Sequence, residues 1–231
     1  MKKIYYYPSH RINDLGNLSF PIKRNSESVV KNTDIGMCPA WNHLNSRSFV
    51  YYSSVHLQFF HDTVKDAFYC SDNELSNLII KTSDFERDQC LVYEITKVCT
   101  NFYWTEEKNV WISVSPHPLT ALNNNFYHCG AQFNLSNWAR DVNIGAVVVD
   151  PSKPVVINRG DPLYIIQFHT EDQNENFDLE YSQLDDVEYK QHLNKIRFVR
   201  SAFGKGFDYT KHIFETNPTQ SKCPFKNLWK K

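Results

Sequence analysis

The fold is decided by residues 144–169, which read IGAVVVDPSKPVVINRGDPLYIIQFH. Three apolar runs rich in β-branched residues alternate there with two turn clusters, residues 150–154 and 158–162. Runs of this kind favour buried strands, and Asp, Asn, Gly and Pro favour turns. The pattern predicts three strands. The last two are predicted to form an antiparallel hairpin around the tight turn Asn158-Arg159-Gly160-Asp161.

Shorter β-favouring runs precede this stretch, and a helical period follows it. The strand-like runs are residues 47–52, 55–60, 67–70, 77–80, 91–104 and 110–114. From Ser182 onward, apolar residues recur at near-helical spacing. We therefore expect a mainly β (α+β) protein with one domain over residues 1–231. Residues 1–181 would form an antiparallel β-barrel or sandwich, and residues 182–231 an amphipathic C-terminal helix with a basic, aromatic tail.

Composition excludes several classes of protein. The 231 residues carry 25 basic and 26 acidic side chains, and this balance argues against a nucleic-acid partner. Aromatic residues make up 15% of the chain, which is too many for a disordered protein. No apolar run is long enough to span a membrane, and the charged N-terminus lacks the apolar core of a signal peptide. Without a signal peptide, the six cysteines are expected to be free thiols in a reducing cytosol, and the absence of a C-x-x-C pair argues against a structural zinc site.

Three short motifs occur in a characteristic order. They are Cys38-Pro39-Ala40-Trp41, Phe133-x4-Trp138-x-Arg140 and Ile157-x2-Gly160-Asp161-Pro162-Leu163. Their order and spacing resemble an uncharacterised family of tailed-bacteriophage proteins, over roughly residues 38–170. The resemblance implies a viral origin and assigns no catalytic residue. The last segment, residues 155–167, is also similar to the final hairpin of dUTPase-type barrels, although the phosphate and uracil boxes of those enzymes are missing.

The motifs supply the candidate binding residues. Trp beside Arg can form a cation–π platform, and the resemblance marks the segments at 138–140 and 160–163 as sites of interest. The candidates are Trp138, Arg140, Arg159, Gly160, Asp161 and Pro162. The alternative is that Trp138 is a core residue that closes one end of the domain while Arg140 pairs with a nearby carboxylate.

A second set of residues offers metal ligands. His169 and Glu171 lie two apart at the end of a predicted strand, and His212 could complete a facial triad for iron. His117, His128 and Cys129 are a weaker zinc candidate, because their spacing fits no closed zinc motif and ordinary, partly exposed histidines explain it as well.

Three functions follow as hypotheses. The first is a bacteriophage accessory protein without a cofactor, which binds a host or viral protein in the host cytoplasm. The second is an enzyme that depends on Fe or Zn, or acts on a small ligand, with its site in the barrel mouth. The third is a minor structural protein of the virion. The sequence leaves open whether the protein is an enzyme.

Overall fold

The computed structural model describes residues 1–8, 21–23, 37–83, 88–96 and 100–182. Strands are β1 Lys2–Pro8, β2 Ile22–Lys23, β3 Ser48–Tyr52, β4 Leu57–Asp62, β5 Ala67–Cys70, β6 Ile79–Lys81, β7 Val92–Ile95, β8 Asn101–Trp104, β9 Trp111–Pro116, β10 Phe126–His128, β11 Ala131–Asn134, β12 Arg140–Asp141, β13 Ile144–Val148, β14 Val155–Ile157, β15 Pro162–His169 and β16 Phe177–Tyr181. Helices are α1 Pro39–Asn45, α2 Asn73–Ser76 and α3 Pro118–Asn124.

The strands form four sheets in the described part of the chain. Sheet A has the order β12-β8-β1-β16, sheet B β11-β9-β15-β3-β2, sheet C β14-β4-β5 and sheet D β10-β13-β7-β6. The described pairings are antiparallel except that of β1 with β16. The mainly β fold is thereby confirmed. None of these four sheets closes on itself, so a sandwich fits better than a barrel. The predicted helix and tail begin at the last described residue, so they lie outside the described part.

The core joins all four sheets through aromatic side chains. One cluster of buried residues includes Ile4 of sheet A, Phe49 of sheet B, Leu57 of sheet C and Tyr93 of sheet D. Tyrosine and phenylalanine dominate its largest members, which explains why the sequence is rich in aromatics. In the described residues, no helix is long and apolar enough to cross a membrane.

The expected hairpin around residues 158–161 is wrong. Strand β14 pairs with β4 in sheet C, whereas β15 pairs with β3 and β9 in sheet B. The turn is bound to the chain segment that links β3 to β4: the Ser53 amide donates to the Asp161 carbonyl and the Gly160 amide to the Ser53 carbonyl, both at 2.8 Å. The connection from β3 to β4 and the connection from β14 to β15 therefore run side by side between sheets B and C. The hydrogen bonds between these two connections take the place of those in a hairpin.

Strand β1 at the N-terminus is a second feature in which the structure differs from the prediction made from the sequence. Residues 2–8 lie between β8 and β16 in sheet A, where Tyr6 and Tyr7 are buried. Residues 2–7 read KKIYYY and do not alternate polar and apolar side chains, and the sequence pattern did not predict a strand.

Candidate functional site

One face of sheet D combines apolar side chains with exposure. The register places Tyr127 opposite Val147 and Val147 opposite Val92, so these three side chains lie on the same face. Val149 follows Val147 by two residues, and Ile80 lies opposite Glu94 on the edge strand of the same face. We call Ile80, Val92, Tyr127, Val147 and Val149 the outer apolar face.

The outer apolar face is accessible to a partner. Ile80, Tyr127 and Val149 are 50%, 51% and 55% exposed. Glu94 is the charged residue on this face of the four paired strands, and its carboxylate accepts a 2.7 Å hydrogen bond from the Asn143 side-chain amide. The surface is therefore apolar and carries little charge, as interaction surfaces often are.

A tight turn holds two members of the face side by side. Asn125 ends α3 in the left-handed conformation, with φ at +60°. Its carbonyl accepts from the Val149 amide at 3.1 Å, and its side chain donates to the carbonyls of Asp150 and Lys153. Asn is among the residues that tolerate this conformation. These bonds fix the start of β10, which carries Tyr127, against the end of β13.

Gly145 and Cys129 show how closely the outer side of β13 is packed. A Cβ atom at Gly145 would lie 3.0 Å from the Cβ of Cys129. The absence of a side chain at Gly145 leaves room for the thiol, which is free and exposed. Burial of part of this group raises the pKa of the Cys129 thiol, with a smaller contribution from Cys90. The thiol is therefore a weak nucleophile at neutral pH.

Trp138 and Arg140 come together as a stacked pair. The guanidinium carbon of Arg140 lies 4.1 Å from the centre of the Trp138 ring and 5.5 Å from that of Phe133. The Trp138 and Phe133 rings meet edge to face at 5.4 Å. Trp138 also packs against the core. Trp138 therefore stacks on Arg140 and also packs against the core. The sequence analysis gave these two roles as alternatives, and one partly buried side chain combines them.

The predicted turn residues have a clear structural role. The Asp161 carboxylate accepts hydrogen bonds from the Asn158 amide at 2.7 Å and from the Asn124 side chain at 2.6 Å. Gly160 has φ at +88°, a conformation in which other side chains are strained. Arg159 is exposed at the tip, and Pro162 begins β15. Recognition of a partner by this turn stays a prediction.

The structure describes two of the three predicted metal ligands, His169 and Glu171. His169 ends β15 and its Nε2 lies 2.6 Å from the Ser113 hydroxyl, while Glu171 is exposed beyond the strand. Burial, and then the nearby Arg47 guanidinium, lower the pKa of His169. No group of three His, Cys, Asp or Glu suited to a metal occurs among the described residues. His212 lies outside them, so an iron or zinc site with His212 stays a prediction.

The two histidines of the weaker zinc candidate are core residues. His117 and His128 are both buried, which corrects the expectation of partly exposed side chains. His117 caps α3, where its Nδ1 accepts from the Leu119 amide at 3.3 Å. Burial lowers the pKa of His128 to about 4, so its imidazole is neutral at pH 7.

The sequence patterns missed the outer apolar face as a functional surface. The signal was present, because residues 144–149 are almost continuously apolar. An antiparallel sheet with one solvated face normally alternates apolar and polar residues. An unbroken apolar run does not indicate that either side is exposed, whereas the structure exposes Val149 and leaves Val147 only partly buried.

Comparisons with known proteins give only distant likenesses. No family model matches the chain, and no curated protein matches it. A mutant dUTPase from phage phi11 of S. aureus aligns with 79% of this chain and 97% of its own, at 6% identity and a TM-score of 0.36. A mutant Staphylococcus bacteriophage 80alpha dUTPase with dUpNHpp aligns with 79% and 92%, at 4% identity and 0.36. Scores of this size transfer neither a fold nor an activity.

Proposed function

We propose that the protein is a bacteriophage accessory protein that acts by binding a host or viral protein through its outer apolar face. The phage origin rests on the resemblance of the ordered motifs between residues 38 and 170. The binding role rests on one observation, the exposure of Ile80, Tyr127 and Val149 on one face of sheet D.

Exposure of apolar side chains to water is unfavourable in free energy, and a partner that covers them would remove this penalty. Apolar surface in water is unfavourable by roughly 25 cal/mol for each Å². A single exposed apolar residue is ordinary, but here strand register places four apolar residues on one face of the sheet, and Val149 follows Val147 by two residues. A partner with an apolar, aromatic-rich patch would cover this surface, because interface centres are depleted of charged residues and enriched in aromatic ones.

The test compares two face variants with a matched control. Ile80→Lys and Val149→Lys each place a charge on the face. Val64→Lys makes the same change at a residue that is 94% exposed in the turn between β4 and β5 of sheet C. Each protein is immobilised in lysate from cells that naturally produce it, and bound proteins are quantified by mass spectrometry. We expect one protein to be retained by the wild type and the control and lost from both face variants.

Binding of that protein, once purified, is then measured by calorimetry. We expect at least a tenfold loss of affinity in each face variant, or about 1.4 kcal/mol, and no change in the control. The proposal is wrong if no protein shows this pattern. It is also wrong if the molecule that binds is a second copy of this chain or an assembled virion.

Arg140 is proposed as a second contact. Arginine and tryptophan are enriched among residues that dominate binding energies, and stacking on Trp138 holds the guanidinium in one orientation. If Arg140 contacts the partner, Arg140→Lys loses affinity despite keeping the charge, since an ammonium does not reproduce the planar stack. An unchanged affinity would remove Arg140 from the interface.

A further inference from the structure

Strand β6 forms one edge of sheet D and adjoins the outer apolar face. Its residues, Ile79–Lys81, pair with β7 on one side and, within the described ranges, with no strand on the other. Ile80 is 50% exposed and belongs to the outer apolar face, and Thr82 just beyond the strand is exposed as well. The edge and the face therefore form one accessible surface.

The hydrogen bonds between β6 and β7 show which backbone groups point toward the sheet. The Thr96 amide donates to the Leu78 carbonyl at 2.9 Å, and the Thr82 amide donates to the Val92 carbonyl at 2.8 Å. In an antiparallel ladder, residue pairs that exchange hydrogen bonds alternate with pairs that do not. The even-numbered residues of this segment therefore direct their backbone groups toward β7.

Ile79 and Lys81 direct their backbone groups to the open edge instead. In the part of the chain that the structure describes, no hydrogen bond reaches their amides or carbonyls from that side. An edge strand with such groups is a template on which another strand can pair. Two donors and two acceptors are thus positioned to receive an extended segment.

The side chain that usually protects such an edge is turned away from it. Lysine on an edge strand discourages pairing with other chains. The Lys81 ammonium, however, lies 2.7 Å from the Asp66 carboxylate, which balances its charge. Register places Lys81 opposite Tyr93, on the inner side of the sheet, and Ile80 on the outer side. A strand that approaches the outer side therefore meets an apolar side chain.

We propose that the partner adds an extended segment to β6 and so lengthens sheet D by one strand, an inference that rests on the proposed function. The backbone of the segment exchanges hydrogen bonds with Ile79 and Lys81. Its residue opposite Ile80 is apolar and continues the outer apolar face, because pairs that do not exchange hydrogen bonds bring their side chains closest together. Main-chain bonds supply affinity in this mode of binding, and alternate side chains supply specificity.

Amide hydrogen exchange, followed by NMR in the isotope-labelled full chain, tests the pairing directly. The probe is the protein that the wild type retains from lysate, in purified form. We expect the amides of Ile79 and Lys81 to exchange at least tenfold more slowly in the complex. Gln132 is the matched control, because the bond from the Leu135 amide to the Val110 carbonyl sets a register in which the Gln132 amide points outward from the edge strand β11 of sheet B. Its exchange should not change.

A pair of substitutions at position 81 isolates the outward amide. Lys81→Pro removes this amide without breaking a bond to β7, since proline is tolerated on an edge strand where the N–H faces solvent. Lys81→Ala removes the same side chain and keeps the amide. We expect calorimetry to show at least tenfold weaker binding of the purified partner by Lys81→Pro than by Lys81→Ala, while the amide spectra of both variants keep the wild-type pattern in the other sheets.

The outcomes separate this inference from the proposed function. Unchanged exchange at Ile79 and Lys81, in a complex that Ile80→Lys still weakens, would overturn the added strand and leave the proposed function standing. Equal affinities of the two folded variants at position 81 would also overturn it. Protection of the same amides in the chain alone, rising with its concentration, would assign the edge to a second copy and contradict the proposal. If no protein is retained from lysate, both proposals fail.

Discussion

The two faces of sheet D differ in exposure rather than in chemistry. On the inner face, Tyr93, Ile95 and Ile144 are almost completely buried. On the outer face, Ile80 of β6 and Val149, which directly follows β13, are about half exposed, at 50% and 55%. Core formation requires only one apolar face, since strands alternate their side chains between two sides. The core does not require the second apolar face, and we propose that a partner covers it.

The largest expected difference between the faces is in stability. Ile95 and Ile80 are matched, because Ile79 pairs with Ile95 and Ile80 with Glu94 in the same ladder. Ile95→Ala should lower the free energy of unfolding by roughly 4 kcal/mol, since it leaves a cavity in a close-packed core. Ile80→Ala should change it by less than about 0.5 kcal/mol. Urea denaturation of both variants measures the contrast, and similar losses would show that the outer face also supports the fold.

A smaller difference should depend on pH. Burial lowers the pKa of His128, on the inner face, from an ordinary 6.5 to about 4. The unfolded chain takes up a proton below about pH 6.5 and the folded chain only near pH 4. Stability present above pH 6.5 is therefore lost as the pH falls toward 4, by about 3 kcal/mol.

The variant His128→Phe isolates this effect. The His128 ring is almost completely buried and lies 5.2 Å from the ring of Tyr164, so a phenyl ring suits the site. Urea unfolding between pH 7 and pH 4 should show a shallower loss of stability in the variant than in the wild type. Parallel pH profiles would mean that His128 is accessible to protons in the folded state.

A third contrast compares two buried tyrosines. The Tyr103 hydroxyl accepts a 3.2 Å hydrogen bond from the Asn101 side chain, whereas the Tyr93 hydroxyl has no hydrogen-bond partner among the described residues. Tyr103→Phe should lower stability by about 1 kcal/mol, because a buried donor is left unpaired. Tyr93→Phe should be neutral or slightly stabilising. Thermal unfolding monitored by circular dichroism checks both, and an equal loss would place a partner on Tyr93.

Much of the fold could be predicted from local patterns. The run Ala67–Cys70 is the predicted strand β5, and the strong pattern in residues 144–149 corresponds to β13. The pairing could not be predicted, because partners are chosen by tertiary packing. The turn at Gly160 has the local composition of a hairpin turn. It is nevertheless hydrogen-bonded to Ser53, and β15 lies in sheet B whereas β14 lies in sheet C.

The candidate sites were predictable only in part. Stacking of Arg140 on Trp138 was one of two alternatives that the sequence offered, and the other, Trp138 as a core residue, was favoured; the structure shows the stacking together with packing against the core. The burial of His117 and His128 could not be expected, because it depends on how elements far apart in sequence pack together. Exposure of the outer apolar face is likewise a property of the assembled sheets, and an apolar run does not reveal which of its faces is covered.

The central claim is that the outer apolar face is covered by another protein. A photo-crosslinking amino acid at position 149, with the same group at position 64 as the control, tests it in cells that naturally produce the chain. We predict a cross-link from position 149 to one protein other than this chain, its disappearance when Ile80→Lys is added, and none from position 64. Equal cross-linking from both positions, or a cross-link only to a second copy, would contradict the claim.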